Sequence, residues 1–151
     1  MGGIRTGEIR DVLFQPAEMT GGGRGLMRNG RAVLVVDDDP DFLSSLRGIL
    51  ESSGFEVFSA QTGGEAMRLF NEHEPGLVLS DIMMEKIDSG IRLAREIRER
   101  NSYVPVYLLS DIGGLAAANI DIHRIGCNGS LQKPCNPEIL LRIVRHEMEK
   151  N

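Results

Sequence analysis

From Ala32 onward, short unbroken apolar runs alternate with stretches whose apolar residues recur every three or four positions. That alternation is the pattern of a parallel sheet covered by helices on both faces. The runs predict strands over 32–36, 56–60, 77–80, 104–109 and 129–132. Helices are predicted over 40–53, 64–74, 91–100 and 115–125, and from 136 towards the end of the chain. The first has Asp39 as N-cap and Pro40 at the first helical position, sets Phe42, Leu43, Leu46, Ile49 and Leu50 on one face, and stops near Gly54. Gly126 is the stop of the fourth, and the last buries Ile139, Leu140, Ile143, Val144 and Met148. Five strand-helix units with right-handed crossovers make a doubly wound α/β fold, a five-stranded parallel sheet of (βα)5 type.

Residues 1–31 break this pattern. They are glycine-rich, including Gly21, Gly22 and Gly23, and show no sustained period, so a flexible leader is expected ahead of a single domain at 32–151. The start fits the loose pattern for N-myristoylation, but a free arm is the plainer expectation. The leader carries five arginines against three acids, a net of +2, which leaves −7 of the overall −5 to the rest. An acidic domain without a basic stripe is a poor partner for nucleic acid, and direct DNA contact is not expected. No apolar run approaches the roughly 18 residues needed to cross a bilayer, and no secretory signal opens the chain, so a cytoplasmic location without membrane insertion is expected. Cys127 and Cys135 have neither metal-knuckle nor redox spacing and are expected as thiols. His73, His123 and His146 are dispersed and do not form a ligand set.

In a doubly wound fold, ligand chemistry gathers outside the carboxyl ends of the strands. The unusual polar residues fall there: Asp37 and Asp38 after the first strand, Asp81 after the third, Ser110 after the fourth and Lys133 after the fifth. Two carboxylates about 4 Å apart repel by about 4 kcal/mol at an effective dielectric near 20. A hard divalent cation explains tolerating that, since Mg²⁺ prefers oxygen ligands and takes one or two carboxylates plus oxygens of a phosphorylated partner. Lys133 and Ser110 then complete a site for phosphoryl transfer, which depends on positioning and charge neutralisation. Asp81 can serve as the nucleophile, because a carboxylate can form an acyl phosphate.

The stretches VLVVDDDP, GFEVFSAQTGGEAM, LVLSDIMM, PVYLLS and QKP resemble the receiver domain of two-component response regulators, over almost all of the chain from Arg31. The resemblance implies a flavodoxin-like strand order 2-1-3-4-5 and a switch rather than an enzyme acting on other molecules. It implies Mg²⁺ held by Asp37, Asp38, Asp81 and the backbone carbonyl of Met83, with Asp38 the more direct of the first pair. Asp81 matches the phosphoacceptor, Ser110 the hydroxyl that moves toward the phosphoryl group and Lys133 the lysine that contacts it. The Lys133–Pro134 bond matches one that is usually cis. The implied partners are a sensor histidine kinase or phosphotransfer protein and a downstream protein, and a homodimer is compatible with the same switch. Because no output domain is expected within this sequence, the signal is expected to leave by protein contact or relay.

The sequence departs from the family at four places. Glu85 stands for a usual proline, the stretch at 87–90 looks one residue longer, Asp111 replaces a small neutral residue, and Ser130 replaces a common aromatic. Two alternatives stay open on the residues alone. One is a degenerate receiver that signals without phosphorylation. The other is a phosphatase resembling the haloacid-dehalogenase family, through Asp37 and Asp39 with Ser110 and Lys133, although Asp81 then has no task. A flavodoxin-type cofactor site is excluded, since three aspartates there would repel a phosphate.

Overall fold

The computed structural model describes residues 29–82, 89–100, 103–111, 121–124 and 126–149. Five parallel strands form one sheet: β1 (Asn29–Val36), β2 (Glu56–Ala60), β3 (Pro75–Asp81), β4 (Val106–Ser110) and β5 (Gly129–Gln132). Their order is β2-β1-β3-β4-β5, the flavodoxin-like order. Four helices are present among the described residues: α1 (Pro40–Ser52), α2 (Gly63–His73), α3 (Ser89–Arg100) and α4 (Pro137–Glu149).

The strand residues alternate between two apolar layers, as the period of two along a strand demands. Leu34, Val36, Val78, Val106 and Leu108 pack with α2 and α3 through Met67, Phe70, Leu93 and Ile97. Val33, Val35, Leu77, Leu79, Leu109 and Leu131 pack with α1 and α4 through Leu43, Leu46, Leu50, Leu140 and Val144. Residues Ala32 to Val36 of β1 have no exposed surface at all, which is why that strand reads as an unbroken apolar run.

The ends of the elements follow local chemistry. Asp39 caps α1, its Oδ1 accepting from the backbone N–H groups of Asp41 and Phe42 at 3.0 and 3.4 Å. In α2, Thr62 Oγ1 accepts from the Glu65 N–H while Glu65 Oε1 accepts from the Gln61 N–H, a cap closed from both directions. Gly54 and Gly126 both stand at positive φ, 91° and 90°, where a side chain is strained.

Several expectations need correction. Ile139 was expected inside and is 47% exposed. The buried stripe of α4 runs through Leu140, Val144 and Met148, and Ile139 lies one residue, about 100°, away from it. The helix expected over 115–125 falls mostly outside the described residues, and its described part, 121–124, forms a turn in which the Arg124 N–H donates to the Asp121 carbonyl. Strand β1 begins at Asn29, β3 at Pro75 and β4 at Val106, and β3 and β4 take in Asp81 and Ser110 as their last residues. The expected leader falls outside the described residues up to 28, as do Met83 and Glu85.

Candidate functional site

The parallel register sets the strand tips side by side. Val36 pairs with Ser80, and Asp81 pairs with Leu109. Asp37 therefore follows β1 next to the end of β3, and Ser110 stands one residue past the partner of Asp81. Ser110 in turn pairs with Gln132, so Lys133 is the first residue beyond β5. Backbone bonds tie these tips together: the Asp37 N–H donates to the Ala60 carbonyl at 3.0 Å, and the Lys133 N–H to the Ser110 carbonyl at 2.8 Å. The Lys133–Pro134 peptide is cis.

Asp37, Asp38 and Asp81 each turn a carboxylate oxygen to a common point, with those atoms all within 4.8 Å of one another. Their exposures are graded. Asp37 is fully buried, Asp81 has 14% of its side chain exposed, and Asp38 is exposed. The buried carboxylate is engaged at both oxygens: its Oδ1 accepts the Asp39 N–H at 2.9 Å and its Oδ2 accepts Lys133 Nζ at 2.8 Å. The same ammonium stands 3.5 Å from Asp81 Oδ2. Asp37 is thus the anchor of Lys133, while Asp38 is exposed and Asp81 is partly buried.

Lys133 is held as a cation. Burial, the largest single influence, pulls its pKa down, but the hydrogen bond to Asp37 and the charges of Asp81, Asp37 and Asp111 outweigh it and leave the pKa raised. Asp111, one of the departures from the family pattern, adds to the field that keeps the ammonium charged. Asp37 and Asp81, at the separation above, would repel by about 3 kcal/mol at an effective dielectric near 20 without that countercharge. The donor set fits a hard dication: all oxygen, carboxylate-rich, and open to solvent on the Asp38 side.

On the other flank of Asp81, Gly90 brings α3 close. Its N–H donates to the Ile82 carbonyl at 2.7 Å, and a Cβ at this position would overlap the backbone of Asp81 and Ile82. Only glycine allows this approach, so the first turn of α3 is pinned beside Asp81.

Of the residues expected at the site, the structure brings together Asp37, Asp38, Asp81 and Lys133, and it puts Ser110, buried, at the tip of β4. Met83 lies outside the described residues. One participant escaped the sequence reading. The ring of Phe42, assigned only to the apolar face of α1, lies under the ammonium of Lys133, with Nζ 4.5 Å from the ring centroid. No sequence signal distinguishes it from the other apolar residues of that helix.

A doubly wound sheet with an acidic cluster and a lysine at its carboxyl edge is the architecture of phosphorylation-controlled receivers. The family profile described as response regulator receiver domain matches residues 33–145, and the chain belongs to that family. Response regulator Rre1 of Synechocystis is 37% identical over 118 residues, covering 76% of this chain and 50% of the relative. Transcriptional regulatory protein GlrR of Escherichia coli is 32% identical over 119 residues, covering 79% of this chain and 26% of the relative. The chain thus spans half or less of the length of these relatives. Among solved structures, a response regulator receiver domain protein from Clostridium thermocellum superposes with a TM-score of 0.71 at 28% identity, covering 79% of this chain and 94% of that one. The chemotaxis response regulator CheY4 of Vibrio cholerae superposes with a TM-score of 0.68 at 25% identity, covering 77% and 97%. The chain is therefore the receiver domain of a response regulator, a signalling unit of two-component systems. Among the described residues, no helix is long and apolar enough to cross a membrane.

Proposed function

We propose that this receiver takes a phosphoryl group from a phosphohistidine of a sensor kinase or phosphotransfer protein onto Asp81 and works as a phosphorylation-controlled interaction switch. The observation that carries the reading is the meeting of three carboxylates within 4.8 Å with an ammonium 3.5 Å from Asp81 Oδ2, built from three separate strand tips. A carboxylate oxygen of Asp81 attacks phosphorus, the phosphorus–nitrogen bond breaks with its electron pair going to nitrogen, and the imidazole leaves as a neutral ring with a proton taken up from solvent. Asp38 and Asp81, with Asp37 behind them and the carbonyl of Met83, are the residues that would hold Mg²⁺. When bound, that ion supplies charge neutralisation for the oxygens of the transferred group.

Lys133 is already poised. Its ammonium is anchored on Asp37 and needs only to exchange its longer contact with Asp81 for one with a phosphoryl oxygen. Ser110, buried at the tip of β4, supplies a hydroxyl to the same product. Phosphorylation changes the charge at the sheet edge and biases a two-state equilibrium of the neighbouring segments, which partner proteins read. Residues 32–151 are acidic as a whole, which favours protein rather than DNA as their own direct contact.

Intact-mass measurement after incubation with acetyl phosphate, with and without magnesium, tests the proposal on wild type and Asp81→Asn. The expected result is one magnesium-dependent phosphoryl adduct on the wild type and none on the variant. A wild type that stays unmodified under both conditions would leave the degenerate-receiver reading in its place.

A further inference from the structure

Lys133 must be held near Asp81 before a donor arrives and must still be free to turn toward new oxygens afterwards. Asp37 supplies the holding contact at 2.8 Å. A second strong anion would hold the lysine more firmly, but it would also compete with the incoming phosphoryl group and repel its donor. The structure offers a contact without a charge. Phe42, half-buried against the apolar layer beneath α1, presents its ring to Nζ at 4.5 Å from the centroid. That is inside the roughly 6 Å over which the ring quadrupole attracts a cation.

The ring's place is set by the chemistry of the first turn. The Phe42 N–H donates to the Asp39 side chain that caps α1, at 3.4 Å, and Asp39 in turn donates its own N–H to Asp37 Oδ1 at 2.9 Å. The cap, the buried carboxylate and the aromatic seat are thus consecutive links in one local structure, and Lys133 reaches them from the far edge strand, 96 residues away from Asp37 in sequence. The remaining donors of an ammonium engaged by Asp37 and near Asp81 gain from a π face what a saturated side chain cannot give.

We propose that Phe42 is a positioning residue for the phosphoryl-transfer site, its ring face seating the Lys133 ammonium beside Asp81 without adding a competing charge. The inference rests on the function proposed above, and its test has an arm that does not require phosphorylation. In proton NMR of the magnesium-free protein, the ε-methylene protons of Lys133 should be displaced upfield by the ring current in wild type and in Phe42→Tyr. In Phe42→Leu, which keeps the apolar packing under α1, they should return to ordinary lysine positions while the remaining amide spectrum is retained. At saturating acetyl phosphate and fixed magnesium, the rate of adduct formation should fall about threefold to tenfold in Phe42→Leu and less than about twofold in Phe42→Tyr. Unshifted Lys133 protons in wild type overturn the seat, and so does a leucine variant that phosphorylates at the wild-type rate. If the wild type takes no phosphoryl group at all, the proposed function fails, while the ring-current comparison still decides whether the seat exists.

Discussion

Two buried acids among the described residues are answered in opposite ways. Asp37, with no exposed surface, sits at the strand tips and is met by a lysine ammonium and a backbone N–H. Glu147, on α4 and 5% exposed, accepts the phenol O–H of Tyr107 from β4 at 2.5 Å. The phenol stays protonated, because burial, then the hydrogen bond to Glu147, then the charge of Glu147 all push its pKa up. The clasp is a hydrogen bond between two elements of one packed layer. At the site, the ammonium is shared among Asp37, Asp81 and the field of Asp111, and it belongs to a loop beyond β5. A shared cation can change its partner without unfolding anything. The difference teaches that burial of an acid is not itself a mark of function here; the kind of group that answers it is.

The largest expected effect breaks the site's half of the comparison. Lys133→Met leaves Asp37 buried beside Asp81 without its cation, and urea unfolding at neutral pH and low magnesium should show a loss of roughly 3 kcal/mol. That is the lower end for a broken buried pair, because the lysine is 16% exposed. Magnesium should then raise the unfolding midpoint more in this variant than in wild type, since the ion replaces the missing countercharge. A loss below about 1 kcal/mol would mean the buried carboxylate is not held by the lysine.

Tyr107→Phe acts on the other half. Removing the phenol donor from Glu147 should cost about 1–2 kcal/mol in the same measurement, with the magnesium response unchanged. An altered magnesium response would show that the clasp and the site are one coupled unit.

The smallest effect is seen with pH. Tyr107 and Lys133 both have raised pKa values in the folded state, so each stabilises the fold fully below its unfolded value and loses that contribution as pH rises toward its folded value. The ordinary values are 10.0 for the phenol and 10.5 for the ammonium, so stability should begin to fall near pH 10 and continue falling above it. The onset should move toward the lysine's range in Tyr107→Phe, read as urea midpoints across the alkaline range; an unmoved onset would assign it to other groups.

The candidate cluster was legible because its charged members stand at strand tips. Predicted strands end just before Asp37, Asp81, Ser110 and Lys133, and the rule that α/β folds place ligands at carboxyl ends brings together residues almost a hundred positions apart. The cap at Asp39 was legible for a similar reason, since Asp-Pro ahead of an amphipathic stretch has one good local solution. The Tyr107–Glu147 clasp was not. Its partners are 40 residues apart, and a glutamate near the end of a charged helix reads as a solvated face. Nor was the exposure of Ile139, because an apolar residue at the edge of a helical stripe points in or out according to how the whole helix is rotated on the sheet. The start of α3 at Ser89 was also hidden, because its reason is a close approach of Gly90 to the backbone of Asp81 and Ile82 that no local pattern records.

Hydrophobic periodicity and turn chemistry alone determined the layers, the order of elements and the edge of the sheet at which charge would collect. Both are properties of neighbouring residues, and a chain carries them wherever it goes. Only the tertiary structure decided which acid anchors the lysine, which acid of the cluster is left exposed, and that an aromatic ring from α1 lies under the ammonium. Those outcomes depend on register and helix rotation, which are fixed by the packing of the whole core and can place an atom within 3 Å of a partner or leave it apart.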